Sequence, residues 1–282
     1  MSKTFYITTP IFYPNANPHM GHAYSTVLAD ILARYHRLMG DEVYFLTGVD
    51  ENSEKIVRAA KAEGKDTMAY LEYFVSSFKL LFSDLEISYD KFIRTTDEKR
   101  HWPGAQALWK KIAARGDFEK RVYRGLYCVG HEAFITEKDL VEGKCPDHNE
   151  VPQVLEEENY FFRLSRYGAE IKRKIESRAL EILPDTRRNE ILALLERGLD
   201  EVSFSRPADK VSLGIPVPGA PTQKIYVWCD ALANYVSALG FGGDEKPFKK
   251  FWPAQVHIIG KDILRFHAAI WPAMLLSTGL PL

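Results

Sequence analysis

The sequence predicts an α/β protein: a Rossmann-like, doubly wound parallel sheet interrupted by an insertion. Three observations carry this. Over residues 1–116, apolar runs alternate with amphipathic stretches in the order β-α-β-α-α-β-α. The alternation breaks at 117–153, where two Cys/His pairs stand among short β-like pieces. It returns after residue 208. The predicted division is therefore 1–116 as the first half of the main domain and 117–207 as the insertion, with a knuckle segment at 117–153. Residues 208–282 form the second half.

Composition sets the outer limits. With 282 residues, the chain can hold one large or two moderate domains. Hydrophobic residues make up 46% and charged residues 27%, ordinary values for a globular protein. The formal net charge of −1 excludes a global basic field, so a nucleic-acid surface would have to be a local patch. No apolar run reaches the roughly 18 residues of a membrane span. The N-terminus MSKTFYITTP lacks a signal-peptide layout, and three unevenly spaced cysteines make no disulfide framework. A reduced, cytoplasmic protein without membrane contact is expected.

The first strand is the apolar run ending in Thr8-Thr9-Pro10. A turn-rich segment follows, and His19-Met20-Gly21-His22 opens a helix. A helix N-terminus offers unpaired N–H groups and the positive end of the dipole, which suits phosphate. Gly21 lets a nucleotide approach the backbone, and His19 and His22 can donate to phosphate oxygens. Alone, the tetrapeptide reads more readily as two surface histidines near a turn. Ala23–Met39 continues the helix, with Val27, Leu28, Ile31, Leu32, Tyr35 and Leu38 at helical spacing and Gly40 as its stop. Glu42–Thr47 is a buried strand, and Gly48–Ser53 follows where α/β folds bind ligands.

Helices are predicted at Glu54–Glu63 and Thr67–Leu85, the second capped by Asp66. A strand follows at Lys91–Arg94, then a helix at Glu98–Arg115 capped by Asp97. In the insertion, Cys128 and His131, then Cys145 and His148, form C-x2-H, thirteen residues, C-x2-H. Two such knuckles are how a core-poor segment gathers four ligands for a structural zinc ion. Chance placement of two Cys and two His is the competing explanation. Asn159–Leu164 is strand-like, Ile171–Leu183 and Asn189–Arg197 are helical, and 202–221 is a connection. Lys224–Trp228 then reads as a buried strand, with a helix from Cys229. Val256–Ile259 is a further strand, Gly260–Ile263 its C-terminal junction, and Phe266–Leu276 a helix.

In this context the string TTPIFYPNANPHMGHAYSTVLADILARYHRL resembles the first signature of class I aminoacyl-tRNA synthetases, and specifically the methionyl-tRNA synthetase family. YVWCDALANYVSAL and HIIGKDILRFHAAIWPAML resemble the same family, so the likeness runs along essentially the whole chain. It implies activation of methionine by ATP to methionyl-adenylate, then transfer to tRNA(Met) in the full-length enzyme. It implies that His19 and His22, with Mg2+ held by the phosphates, screen charge at the α-phosphate. It implies a connective-peptide insertion with one structural zinc ion on Cys128, His131, Cys145 and His148.

By the same resemblance, the methionine pocket consists of Ile11, Tyr13, Trp228, Ala231, Leu232, Tyr235, Ile263, His267 and Trp271. Asp50 holds the ammonium group. Gly260 and Asp262 match the ATP ribose site, beside His19, Gly21 and His22. Taken singly, each aromatic residue reads as core, but at three separate junctions on one sheet edge they are better explained as a pocket; a helix cap is the competing reading of Asp50 and of Asp262.

Two departures stand out. The family usually reads D-x-H-G where this chain has Asp50-Glu51-Asn52-Ser53, and no Lys-Met-Ser run matches the family's K-M-S-K-S signature. The resemblance therefore implies an N-terminal portion of a longer enzyme. Such a piece binds methionine but has little or no activity. Three alternatives remain at this level: a class I synthetase for Leu, Ile, Val or Cys, a compact H-x-G-H nucleotidyltransferase, or a zinc-ribbon binding module on a Rossmann base. The first lacks its long editing insertion or its pocket zinc ligands, and the second lacks a zinc insertion.

Overall fold

The protein is described from a computed structural model covering residues 3–130, 133–137 and 140–282. Its centre is a four-stranded sheet, all parallel, ordered β11-β1-β2-β3. The strands are β1 (Thr4–Phe12), β2 (Glu42–Val49), β3 (Lys91–Arg94) and β11 (Val256–His257). Successive side chains in β1 and β2 enter different cores, as strand geometry requires. Tyr6, Leu46 and Ile93 join one core. Phe5, Ile7 and Phe45 join the other. Both faces are therefore covered, which is why the strands read as continuous apolar runs.

On one face lie α1 (Met20–Leu38) and α3 (Thr67–Asp84), which contribute Ala29, Ala33, Val75, Phe78 and Phe82. Between them, α2 (Glu54–Ala62) packs on α3 through Ile56 and Ala60. The other face carries α4 (Trp102–Ala114), α7 (Val227–Ser237) and α9 (Trp271–Thr278). Asp66 caps α3 as expected, accepting from the Ala69 N–H at 2.9 Å.

The face of α1 differs from expectation. Its sheet side is Thr26, Ala29, Asp30 and Ala33, with Val27 and Leu32 half-buried. The large residues Ile31, Tyr35 and Leu38, read as part of the apolar face, are exposed. Small side chains let the helix approach the sheet closely, so spacing alone misassigned the buried face.

The insertion is a long ribbon rather than a set of short pieces. Strand β4 (Phe118–Cys128) pairs with β6 (Gln153–Phe162) in antiparallel register from Phe118↔Phe162 to Tyr127↔Gln153. Strands β5 (Ala133–Ile135) and β7 (Val202–Ser203) complete the sheet β5-β4-β6-β7. Helices α5 (Gly168–Glu176) and α6 (Asp185–Arg197) return to the main core through Ile171, Ile175, Ile191 and Leu195.

Four element expectations need correction. Lys224–Trp228 is not a strand of the parallel sheet. Its first two residues end β10 (Ala220–Ile225), which pairs antiparallel with β8 (Ser205–Pro207) and β9 (Pro216–Val217) in a separate sheet. Tyr226 then N-caps α7, and every α7 residue except Trp228 is buried. A helix buried all round is apolar all round, so its start resembles a strand. The helix expected at Glu98 starts at Trp102 instead. Asp97 does accept N–H bonds from Lys99 and Arg100, at 3.1 and 3.0 Å, but closes only a turn. Pro103 fits only a first helical turn.

The helix expected to reach Leu183 stops at Glu176. Arg178 adopts φ of 59°, a left-handed conformation that ends a helix. The helix expected from Phe266 opens with a π-helical turn, Phe266–Ile270, before α9. No helix among the described residues is long and apolar enough to cross a membrane.

Candidate active site

The C-terminal ends of β1, β2 and β11 and the start of α7 surround a cleft of about 780 Å3, within the range of small-molecule sites. At one end stands the start of α1. His19 is the N-cap, with φ −129° and ψ 176°. Its Nδ1 accepts from the Gly21 N–H at 3.1 Å, and His22 Nδ1 accepts from the His19 N–H at 3.1 Å. The His19 imidazole thus caps the Gly21 backbone, the His22 imidazole caps that of His19, and the rings stack 3.8 Å apart.

This geometry fixes the proton positions. A ring nitrogen that accepts a backbone N–H carries no hydrogen, so a neutral ring carries its proton on Nε2. Burial and the neighbouring His19 push the His22 pKa down to about 4, so that ring is neutral near pH 7. The site therefore offers N–H donors and a helix N-terminus with no acidic residue in its first turn. Gly21 is required for the cap: a Cβ there would lie 2.9 Å from His19 Cε1.

The other end is apolar. Ile11, Tyr13, Trp228, Ala231, Leu232, Tyr235, Ile263 and His267 all line the cleft. Trp228 stacks on Phe266 at 3.7 Å and meets Tyr13 edge-on at 6.4 Å. His267 Nδ1 lies 2.9 Å from the Ile263 carbonyl, so it is the donor nitrogen, and Nε2 accepts the Tyr235 hydroxyl at 2.6 Å. Burial pushes the His267 pKa down to about 4. This wall is therefore uncharged near neutral pH.

Asp50, 2% exposed, also lines the cleft. Its Oδ1 lies 3.4 Å from both the Asn52 N–H and the Thr95 hydroxyl. Gly260 and Asp262 line the cleft at exposed positions. Trp271 is placed differently from the rest: it sits behind Tyr235 at 5.6 Å, 2% exposed, and does not line the cleft.

Sequence reasoning assigned no role to three buried polar residues next to the cleft. Asp230 and His101 are 0% exposed, and His101 Nε2 lies 2.5 Å from Asp230 Oδ1. Asn52 donates to Asp230 Oδ2 at 2.7 Å. The available signal was a carboxylate inside the otherwise apolar run that forms α7.

At the far end of the ribbon, Cys128, Cys145 and His148 bring their ligand atoms within 4.8 Å of one another. His148 Nδ1 lies 3.8 Å from Cys128 Sγ and 3.5 Å from Cys145 Sγ. Tetrahedral zinc with Zn–S of about 2.3 Å and Zn–N of about 2.0 Å needs nitrogen–sulfur separations of about 3.5 Å, so the donors fit that ion. Cys145 is set by a tight turn in which the Asn149 N–H bonds to its carbonyl at 2.7 Å. Gly130 leaves room for the His148 ring, which a Cβ would approach to 2.1 Å. The expected fourth ligand, His131, lies outside the described residues.

The family model described as tRNA synthetases class I (M) matches residues 5–151 and 148–282. The methionine–tRNA ligase of Thermotoga maritima is 48% identical over 282 residues, spanning 99% of this chain and 44% of that relative. A solved Mycobacterium tuberculosis methionyl-tRNA synthetase in complex with methionyl-adenylate is 42% identical, with a TM-score of 0.94 over 99% of this chain and 55% of its own. The apo form of that enzyme is 39% identical, with a TM-score of 0.85 over 100% of this chain and 55% of its own. The chain thus spans about half the length of the proteins it matches.

Proposed function

Because the chain belongs to the class I tRNA synthetase family of the (M) type, we propose that it is the part of a methionine–tRNA ligase that binds methionine and ATP. The observation that carries this reading is the cleft itself. One open volume is lined by an uncharged aromatic wall, a helix N-terminus with two imidazole donors, and a buried carboxylate. A thioether suits the aromatic wall, an ammonium group suits Asp50, and a triphosphate suits His19, Gly21 and His22.

The proposed reaction is compatible with that arrangement. A carboxylate oxygen of methionine attacks the α-phosphorus of ATP. The bond to the bridging oxygen breaks, and pyrophosphate leaves with the electron pair. His19 and His22 donate their Nε2 protons as hydrogen bonds to the oxygens where charge builds, without giving them up. Mg2+ enters with ATP as part of the substrate. In the second step, the 3′-terminal hydroxyl of tRNA(Met) attacks the methionyl carbonyl, and AMP departs. Gly260 and Asp262 serve the ribose. No side chain is acylated, so no nucleophilic Ser or Cys is needed.

Residues 117–207 are the connective insertion in this reading. Cys128, Cys145 and His148, with His131, would hold one zinc ion that ties the tip of the ribbon together. The zinc takes no part in the chemistry. A cytoplasmic setting, where thiols stay reduced, suits those ligands.

Calorimetric titration of the chain with methionine, leucine and norleucine tests the reading. Methionine binds most tightly. Equal affinity for leucine and methionine would remove the assignment.

A further inference from the structure

The loop bearing Asp50 and the helix bearing the aromatic wall are joined beneath the cleft by a buried chain of polar groups. Asn52 Nδ2 reaches Asp230 Oδ2 at 2.7 Å and the Thr95 carbonyl at 3.2 Å. Both partners are acceptors, so both amide hydrogens are used and the amide orientation is settled. The second Asp230 oxygen lies 2.5 Å from His101 Nε2, which donates to it. His101 Nδ1 in turn meets Ser237 Oγ at 2.7 Å, further along α7. At the other end, the Asn52 backbone N–H lies 3.4 Å from Asp50 Oδ1.

Asp230 is fully buried and is not on the cleft wall. A carboxylate in that place is costly unless it is hydrogen-bonded on both oxygens, as it is here. Its neighbours in α7, Trp228 and Ala231, do line the cleft, and its partner Asn52 contacts the cleft carboxylate. We propose that Asp230 is a positioning residue for substrate binding: through Asn52 it sets the distance between Asp50 and the Trp228–Ala231 wall, and so places the substrate ammonium. This rests on the proposed reading of Asp50 as the ammonium site. His101 holds the carboxylate from its other side, so that one oxygen stays turned to Asn52.

The test isolates the ammonium group. Methioninol and 4-(methylthio)butan-1-ol differ only in that group, and their dissociation constants can be measured by ligand-observed NMR. In the unaltered chain, the amine form binds about tenfold or more tightly, the scale of one hydrogen bond to a charged group. Asp50→Asn removes that preference. Asp230→Asn replaces the charged acceptor of Asn52 with a weaker, neutral amide, and Asn52→Ala removes the link; in both the preference shrinks, in Asn52→Ala to within about threefold. Asn52→His retains a ring N–H for Asp230 and keeps most of the preference.

If Asp230→Asn does not fold, the Asn52 pair carries the test. Equal weakening of both alcohols, with their ratio intact, would overturn the positioning role while leaving Asp50 as the ammonium site. Failure of the unaltered chain to bind either alcohol would overturn the proposed function and this inference with it.

Discussion

His267 should make the folded chain sensitive to mild acid, by an amount the structure fixes. The ring is held neutral by burial, with its pKa pushed from 6.5 down to about 4. The unfolded chain takes up this proton near 6.5 and the folded chain does not. The sign follows: the neutral ring contributes stability that is fully present above pH 6.5 and is lost as pH falls towards 4. At ~pH 5 the unfolded form is favoured by at most about 2 kcal/mol, from about 1.5 pH units below the ordinary value at 1.36 kcal/mol each.

Urea unfolding of the chain and of His267→Gln, at ~pH 7.5 and ~pH 5, measures this. Each protein also loses stability through His22 and His257, whose pKa values burial lowers to about 4 and about 3. The comparison therefore rests on the difference between the two proteins. The variant's loss between the two pH values should be smaller, by about 1–2 kcal/mol. An identical loss in both proteins would refute the neutral, buried imidazole. It would also unsettle the Tyr235–His267 bond that makes this wall of the cleft uncharged.

Three further outcomes are expected. Gly21→Ala brings a Cβ to 2.9 Å from His19 Cε1. It should displace the cap, lower stability by about 1 kcal/mol in thermal or urea melts, and weaken ATP binding; unchanged nucleotide affinity would separate the cap from the phosphate site. Trp228→Ala should weaken methionine binding by up to about 3 kcal/mol in calorimetry, the scale of a lost buried aromatic, and an unaffected constant would exclude Trp228 from the pocket. Chelator-free protein should carry about one zinc per chain by metal analysis. In Gly130→Ala, where the Cβ meets the His148 ring at 2.1 Å, zinc should fall well below that, and full zinc in the variant would contradict the ligand set.

Much of this was legible before any coordinates. The β1–α1 junction announced itself through Pro10, the turn residues and His19–His22, because a helix start with side-chain caps has a local sequence signature. The cleft-lining residues at separate β–α junctions were legible by their motifs. Other features depended on packing that no local pattern encodes. The first two residues of α7, Val227 and Trp228, were read as the end of a strand because burial on all sides removes helical periodicity. The α1 face was misassigned because close contact with the sheet selects Ala29 and Ala33 over Ile31 and Tyr35. Trp271 was grouped with the pocket by the family resemblance, yet it packs one layer behind, against Tyr235. Asn52, His101 and Asp230 lie far apart in the chain, and only folding brings them together.

The most direct test of the account is a crystal structure of this chain with a non-hydrolysable sulfamoyl analogue of methionyl-adenylate. The account predicts the ammonium group within hydrogen-bond distance of Asp50, the thioether against Trp228 and Tyr235, and the sulfamoyl oxygens on the side of His19 and His22. An analogue bound with its amino-acid end at the α1 N-terminus, or outside this cleft altogether, would contradict it.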